Sequence, residues 1–284
     1  MTARDRAEWQ LPIGVCRGVW EYALDHGIAE EYDAYFAENA LFAFDEQVLA
    51  RHFRCPGVVV DLGCGTGRAV VALGRRGFRG VAVDLSPAML RIVAEKARRE
   101  CLPIHCIRAN LVQLDCLRSA VADYAVCLFS TWGMIRGRQY RRAALDQMRR
   151  ILKPHGLLVL HVHNLWYNVF DAAGRAYLIG HLVETLWRRD VELGDKFFPY
   201  RGIPRMFLHT FRRRELRAEL RRAGFEIVEF IPLDAGRQRP LARPWWFGGL
   251  RANGWVVVCR RGCDQPDAPA ATLSQGATRG RAAL

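Results

Sequence analysis

The chain has 284 residues, of which 51% are apolar and 25% charged, an ordinary globular balance that allows one enlarged domain or a domain with an insertion. No apolar run approaches the ~18 residues that a membrane-spanning helix needs, and the stretch Met1-Thr2-Ala3-Arg4-Asp5 lacks the apolar core of a secretion signal; the expected location is cytoplasmic, without a membrane partner. The formal charge of +13 invites a nucleic-acid reading, yet the basic residues are almost all arginine, with lysine only at 96, 153 and 196, which fits genome composition better than phosphate contacts.

Nine cysteines are scattered, odd in number and without a Cys-x-x-Cys pair, so neither a disulfide framework nor a metal site is expected. Residues 1–56 read as a helical cap, with Tyr32, Tyr35 and Phe36 giving aromatic spacing. Residues 57–261 read as the main domain. It starts with a buried strand at Val58-Val59-Val60, an acid at Asp61, and a turn with glycines at 63, 65 and 67 around Cys64. Glycine allows positive φ and close ligand approach there, and the helix that follows, over 67–77, offers its amide end. Such a turn after a parallel strand sits where nucleotide-like ligands bind in α/β sheets. A dinucleotide loop would need Gly-x-Gly-x-x-Gly; here the last slot holds Arg68, and Asp61 would repel a pyrophosphate but accept hydrogen bonds from a cationic amine.

A second apolar strand ends at Asp84-Leu85, and Ser86-Pro87 is a helix start for a helix over 87–100. A carboxylate in the place of Asp84 can accept both hydroxyls of a ribose, which supports a nucleoside without naming it. A third strand, Ile104 to Arg108, leads to Asn110-Leu111; a short helix is expected near 115–120. The fourth strand is expected over Tyr124 to Phe129, with Ser130, Thr131 and Trp132 at its end. After a helix over 138–152, the fifth strand runs from Leu157 to Val162 and ends at His163-Asn164. The alternation implies a parallel sheet covered on both faces. It breaks over an insertion at about 164–211: an aromatic helix over 164–190, a loop with Gly194, Pro199, Gly202 and Pro204, and a strand from Met206 to Phe211. A helix at Arg213–Ala223 and strands at Phe225–Ile231 and Gly254–Cys259 follow, separated by a segment carrying Arg237, Arg239, Arg243, Trp245 and Trp246. Residues 262–284 have the composition of a disordered tail.

The ordered set Asp61-x-Gly63-x-Gly65-x-Gly67, Asp84, Asn110 and the proline-glycine turn before the fifth strand resembles the class I S-adenosylmethionine-dependent methyltransferases. The resemblance implies an α/β fold, a Rossmann-like doubly wound sheet that is mostly parallel with an antiparallel last strand. It also implies S-adenosylmethionine as cofactor, held by Asp61, Gly63, Cys64, Gly65, Gly67, Asp84, Leu85, Asn110, Leu111 and Phe129. Asn110 stands where many members carry an acid, but an amide oxygen can accept the same hydrogen bond from the adenine amino group.

Methyl transfer is an in-line displacement that needs alignment and exclusion of water, and a base only when the nucleophile starts protonated. His163 is the candidate base, with Asn164 as an orienting amide and His161 on the same face. Trp132 and Trp166 are candidates to stack on a planar acceptor, and Tyr200 and His209 are further candidates from the insertion. A small-molecule acceptor is expected; an RNA acceptor, suggested by a loose likeness of Met206-Phe207-Leu208-His209 and the following helix to wobble-uridine tRNA methyltransferases, and a non-catalytic nucleoside-binding regulator are the alternatives. The spacing says nothing about oligomeric state.

Overall fold

The computed structural model describes residues 7–36, 41–188 and 191–262; the expected tail and the first six residues lie outside them. Branched apolar runs form the central strands: β1 (Val58–Leu62), β2 (Arg79–Asp84), β3 (Ile104–Arg108), β4 (Ala122–Cys127) and β5 (Leu152–His163). Two further strands, β8 (Phe225–Pro232) and β9 (Gly254–Arg261), complete one sheet in the order β3-β2-β1-β4-β5-β9-β8. β1 through β5 pair in parallel, whereas β9 runs antiparallel to both β5 and β8. The sheet is therefore Rossmann-like, mostly parallel, with the last strand inverted.

Both faces are covered, which is why consecutive residues such as Val58, Val59 and Val60 in β1 and Leu157, Leu158, Val159 and Leu160 in β5 are apolar. On one face Val60, Leu62, Leu158, Leu160 and Val162 pack under α7 (Arg138–Ile151) and α9 (Arg213–Arg222). Ala144, Leu145, Met148 and Ile151 supply the buried stripe of α7, spaced for one helical face. On the other face Val59, Val126 and Val159 meet α5 (Arg68–Arg75), α6 (Pro87–Arg99) and α4 (Leu41–His52). Ser86 accepts a hydrogen bond from Met89 N–H at 3.3 Å and Pro87 fills the first turn, so α6 starts where the sequence marks it.

The N-terminal part breaks into short pieces before α4: α1 (Arg17–Leu24), α2 (His26–Glu30) and α3 (Tyr32–Tyr35). Asp25 caps α2 through Ile28 N–H at 3.0 Å. Three details depart from the sequence expectation. No helix forms near 115–120, where the chain makes turns closed by the Leu117 N–H to Leu114 carbonyl bond. The expected single helix over 164–190 is a 3-10 segment at Leu165–Phe170 followed by α8 (Ala172–Trp187), because Asp171 caps a new start through Gly174 N–H at 2.7 Å. The stretch expected to be a proline-and-glycine loop is half of a hairpin, β6 (Asp195–Tyr200) paired with β7 (Ile203–His209). Arg201 and Gly202 form its turn, both at positive φ, and the prolines sit inside an isolated two-stranded ribbon where missing amide donors cost little. A short α10 (Gly248–Arg251) precedes β9.

Candidate active site

The strand order reverses between β1 and β4, and the crevice at that reversal is where ligands bind in open α/β sheets. A cavity of about 420 Å³ lies there, at the carboxyl ends of β1, β2, β4 and β5. Asp61, Gly63, Cys64, Gly65, Asp84, Leu85, Asn110, Leu111, Phe129 and His163 all line it, so ten of the residues singled out from the sequence converge on one space.

The glycine loop is tied to its neighbours by its own amides. Gly63 and Cys64 N–H both donate to the Val83 carbonyl, at 2.8 and 3.0 Å; Gly67 N–H donates to the Cys64 carbonyl; Gly65 N–H donates to Asp84 Oδ2 at 2.8 Å. These four donors are taken, so the loop is not a phosphate cradle of the dinucleotide kind. Gly63 has φ +76°, and a Cβ there would lie 2.2 Å from Thr131 Cγ2. At Gly65 a Cβ would meet nothing nearer than the Tyr32 ring at 3.8 Å, so it would occupy cavity space instead. Gly67 does not line the cavity; its Cβ would press on Val93 Cγ2 at 2.8 Å, which assigns this glycine to helix packing.

Asp61 is buried and accepts Val70 N–H at 3.2 Å, capping the first turn of α5 where Gly67 has no side chain to do so. Burial pushes its carboxyl up to about 7, against the Val70 bond and the Arg68 charge, which favour ionisation. A cationic group arriving from the cavity is what this carboxylate lacks. Asp84 accepts Gly65 N–H with one oxygen and Ser86 N–H with the other, each at 2.8 Å. A carboxylate offers about four lone-pair directions, so two remain for a diol. Burial raises Asp84 as well, opposed by those backbone donors. Asn110 keeps its amide busy within the chain: Nδ2 donates to the Ile13 carbonyl at 2.8 Å, and Oδ1 accepts Val112 N–H at 3.2 Å. It faces the cavity while also tethering the N-terminal segment over it. The residues present thus fit an amino-acid-bearing nucleoside: a diol acceptor, an ammonium acceptor, and apolar walls from Leu85 and Leu111.

Phe129 and Ser130 at the end of β4 both have positive φ, +54° and +62°, a strained pair of the kind found at functional sites. Ser130 N–H donates to the His161 carbonyl at 3.0 Å, and Ser130 Oγ accepts His163 N–H at 3.3 Å, so this turn fixes the end of β5 against β4. His163 faces the cavity with its imidazole pushed down to about 3, first by burial and then by the Arg237 and Lys196 charges. It is neutral throughout the physiological range. His161, 5.5 Å away ring to ring, is wholly buried with both ring nitrogens unpartnered, and burial drives it well below the ordinary imidazole range.

Other sequence candidates fall elsewhere. Trp132 is a correction: it is fully buried, stacked on Phe211 at 4.5 Å, with Nε1 donating to the Arg141 carbonyl at 2.9 Å, and is closed off from the cavity. Asn164 is buried too, donating to the Gly249 and Ala252 carbonyls at 2.9 and 2.7 Å and capping the 3-10 turn through Trp166 N–H. Trp166 lies on that turn and is not part of the cavity lining. His209 bridges Asp195 and Glu215 at 2.8 and 3.1 Å and cements the hairpin to α9. Despite burial, that contact holds Glu215 down at about 2.

Tyr200, named from the sequence as a candidate, does line the cavity, and so do Tyr32, Tyr35 and Phe36 of the expected helical cap. Together with Tyr22 and Phe198, which the sequence did not single out, they close the cavity opposite the sheet and form its roof. Asp33 pins α3 down by accepting from Thr66 Oγ1 and Lys96 Nζ, both at 2.5 Å. Arg201 joins hairpin to helix through the Ile28 carbonyl and Glu31 at 3.2 and 3.0 Å. Arg68 and Arg237 also face inward, and Arg68 pairs with the buried Asp45 at 3.2 Å. Sequence signals for these residues are weak because their partners lie 23 to 173 positions away, outside any local spacing.

Comparison with known proteins agrees with the geometry. Residues 59–156 match a family model described as a methyltransferase domain. A Geobacillus protein that bears a methyltransferase name is 28% identical over 137 residues, about half of either protein (48% of this chain, 52% of that one). The carboxy-S-adenosyl-L-methionine synthase of Campylobacter jejuni is 25% identical over 218 residues, 74% of this chain and 89% of that enzyme. Among solved structures, the Burkholderia thailandensis 1,6-didemethyltoxoflavin N1-methyltransferase, with its substrate and S-adenosylhomocysteine bound, superposes with a TM-score of 0.56 at 18% identity, over 84% of this chain and 85% of that one.

Proposed function

We propose that this chain, whose residues 59–156 match a methyltransferase domain, transfers the methyl group of S-adenosylmethionine to a small, planar acceptor held between His163 and the aromatic roof. The observation that carries this reading is the roof itself: Asn110, Asp33 and Arg201 bolt the N-terminal helices and the hairpin over the crevice, leaving about 420 Å³. A space of that size suits a cofactor and a compact organic molecule. The Burkholderia enzyme, which holds 1,6-didemethyltoxoflavin beside S-adenosylhomocysteine, supports it by likeness of fold.

When bound, S-adenosylmethionine supplies a methyl carbon already activated by its sulfonium. Asp61 would hold the ammonium of its amino-acid part, Asp84 the ribose hydroxyls, and Leu85 and Leu111 would flank the adenine beside Asn110. The roof excludes water and restricts approach to one direction. His163, neutral and weakly basic, accepts a hydrogen bond from the acceptor and orients it; so low an affinity for protons suits a nucleophile that ionises readily by itself. His163→Ala should lower turnover about tenfold or more with S-adenosylhomocysteine affinity kept, the usual scale for a proton-handling group being 10² to 10⁴. Unchanged turnover would leave His163 a packing residue.

A cell extract split by ultrafiltration into small molecules and total RNA, incubated with protein and methyl-tritiated donor, tests the acceptor class. Label in the small-molecule fraction supports the reading, and label confined to RNA moves the acceptor to RNA. The Campylobacter relative favours a second reading, in which the donor itself is modified; protein purified with a bound nucleoside heavier than S-adenosylmethionine by one carboxyl group would support it.

A further inference from the structure

Arg237 has no role in holding the fold together. Among the described residues its guanidinium makes no hydrogen bond or ion pair, although it lines the cavity and lies half-buried. Its loop is built to present it there. Asp234 accepts Gln238 N–H and Arg239 Nε at 3.0 and 3.1 Å, and its carbonyl accepts Arg237 N–H at 3.0 Å. Arg237 itself has φ +57°, a conformation disfavoured for a side chain with a Cβ. Two residues on, Arg239 points out to solvent and is paired, so the same turn places one arginine outside and satisfied, the other inside and bare.

The buried Asp45 carboxylate attracts Arg237 only from beyond hydrogen-bond distance, so a partly desolvated guanidinium is left without a direct partner, and an arriving anion offsets that cost. Burial lowers the Arg237 pKa, which agrees with water being partly excluded around it. The anion it awaits is on the acceptor side. The charges that act on Asp61, at the end of the cavity expected to hold the donor's amino acid, come from Arg68 and Asp84. Arg237 acts on His163 and on Tyr200 of the hairpin, and also on His161 and on the buried Asp45. Its surroundings are aromatic: Tyr200 lies 6.1 Å ring to ring from Phe198, and Tyr35, which also acts on Tyr200, lines the same cavity.

We propose that Arg237 is an acceptor-binding residue, and that the acceptor is an aromatic molecule carrying a carboxylate, which the guanidinium fork grips while the ring lies among Tyr35, Phe198 and Tyr200. A planar guanidinium matches a carboxylate with two parallel hydrogen bonds, which would also fix the angle of the ring to His163. This assignment rests on the methyltransferase reading above and narrows its acceptor to one class.

Calorimetry on protein saturated with S-adenosylhomocysteine provides the test, using 4-hydroxyphenylacetate and its uncharged amide as probes. The acid should bind at least about tenfold more tightly than the amide, the scale of one charge-assisted hydrogen bond. Arg237→Gln should abolish that preference, Arg237→Lys should keep part of it, and both should melt no lower than wild type and bind S-adenosylhomocysteine within about twofold of wild type. Three results overturn the assignment: equal binding of acid and amide, no binding of either, or a tenfold loss of S-adenosylhomocysteine affinity in Arg237→Gln, which would give the arginine to the donor's own carboxylate. Failure of the wild type to bind S-adenosylhomocysteine at all would instead remove the methyltransferase reading.

Discussion

The floor and the roof of the cavity are built on opposite plans. The floor uses backbone turns and two carboxylates at the ends of adjacent strands, all within the stretch from Asp61 to Leu111. The roof uses side chains from residues 14–36, 198–208 and 237, brought together only by tertiary contacts. In the function proposed above, the floor would recognise features common to every copy of one cofactor, and the roof would set the shape and charge available to whatever else enters. Damage to the floor should therefore appear in donor affinity, and damage to the roof in acceptor choice and in the rate of ligand escape.

The largest effect is expected at Asp84. Asp84→Ala removes the oxygens left for the ribose and also frees Gly65 N–H, so S-adenosylhomocysteine affinity measured by calorimetry should fall about 100-fold, equivalent to about 3 kcal/mol for two bonds to a charged group. A loss below about threefold would mean the floor does not hold the nucleoside there.

Asp61 gives the floor a pH signature. With the carboxyl raised to about 7, ionisation is incomplete below that point, and an ammonium ligand binds the ionised form. Affinity should rise about tenfold between about pH 6 and 8 and then level off, with one proton released per binding event at low pH. Asp61→Asn should bind weakly and without this slope. The same group acts oppositely on the free fold: a carboxyl that ionises near 4 when unfolded and near 7 when folded makes stability decline as pH rises across that window, and ligand should flatten the decline.

A smaller effect should come from the bolts of the roof. Asp33→Ala cuts the links from α3 to Thr66 and Lys96. These contacts are half exposed, so the loss should be only about three- to fivefold in affinity, carried by faster dissociation in stopped-flow traces. Unchanged dissociation would show that the helix is held by packing alone.

Legibility followed the same division. The glycine turn, the Ser86-Pro87 start and the strand alternation are local patterns, and each appears in the structure within a residue or two except β5, which starts five residues before the expected Leu157, at Leu152. Asp61 and Asp84 could be placed because their spacing from the glycines is short. Asn110 lines the cavity, but its grip on Ile13 depends on a segment 97 residues away and left no trace in local spacing. The β6 strand was hidden by Pro199 and by the glycines at its ends, which argue for a loop unless the strand has only one partner. Arg237 was visible only as one of several arginines in a run; what sets it apart from Arg239 is the direction its turn imposes, which follows from a positive φ that no pattern announces. Tryptophans 132 and 166 illustrate the converse error: aromatic identity at a strand end suggests a stacking platform, yet one of them is claimed by the core.

Trp132 therefore offers the finest test of where the roof ends. Its indole is enclosed between Phe211 and the turn that follows β4, and its one polar group is satisfied by the Arg141 carbonyl. Trp132→Phe keeps a stacked ring but removes that donor and some volume, leaving the carbonyl short of a partner. Such a change should cost about 1–3 kcal/mol of stability, a fall of several degrees in melting temperature for a chain of this length. S-adenosylhomocysteine affinity and the preference between the carboxylate and amide probes should stay as in wild type. A shift in probe preference without loss of stability would place the indole in contact with the acceptor and extend the roof across the end of β4.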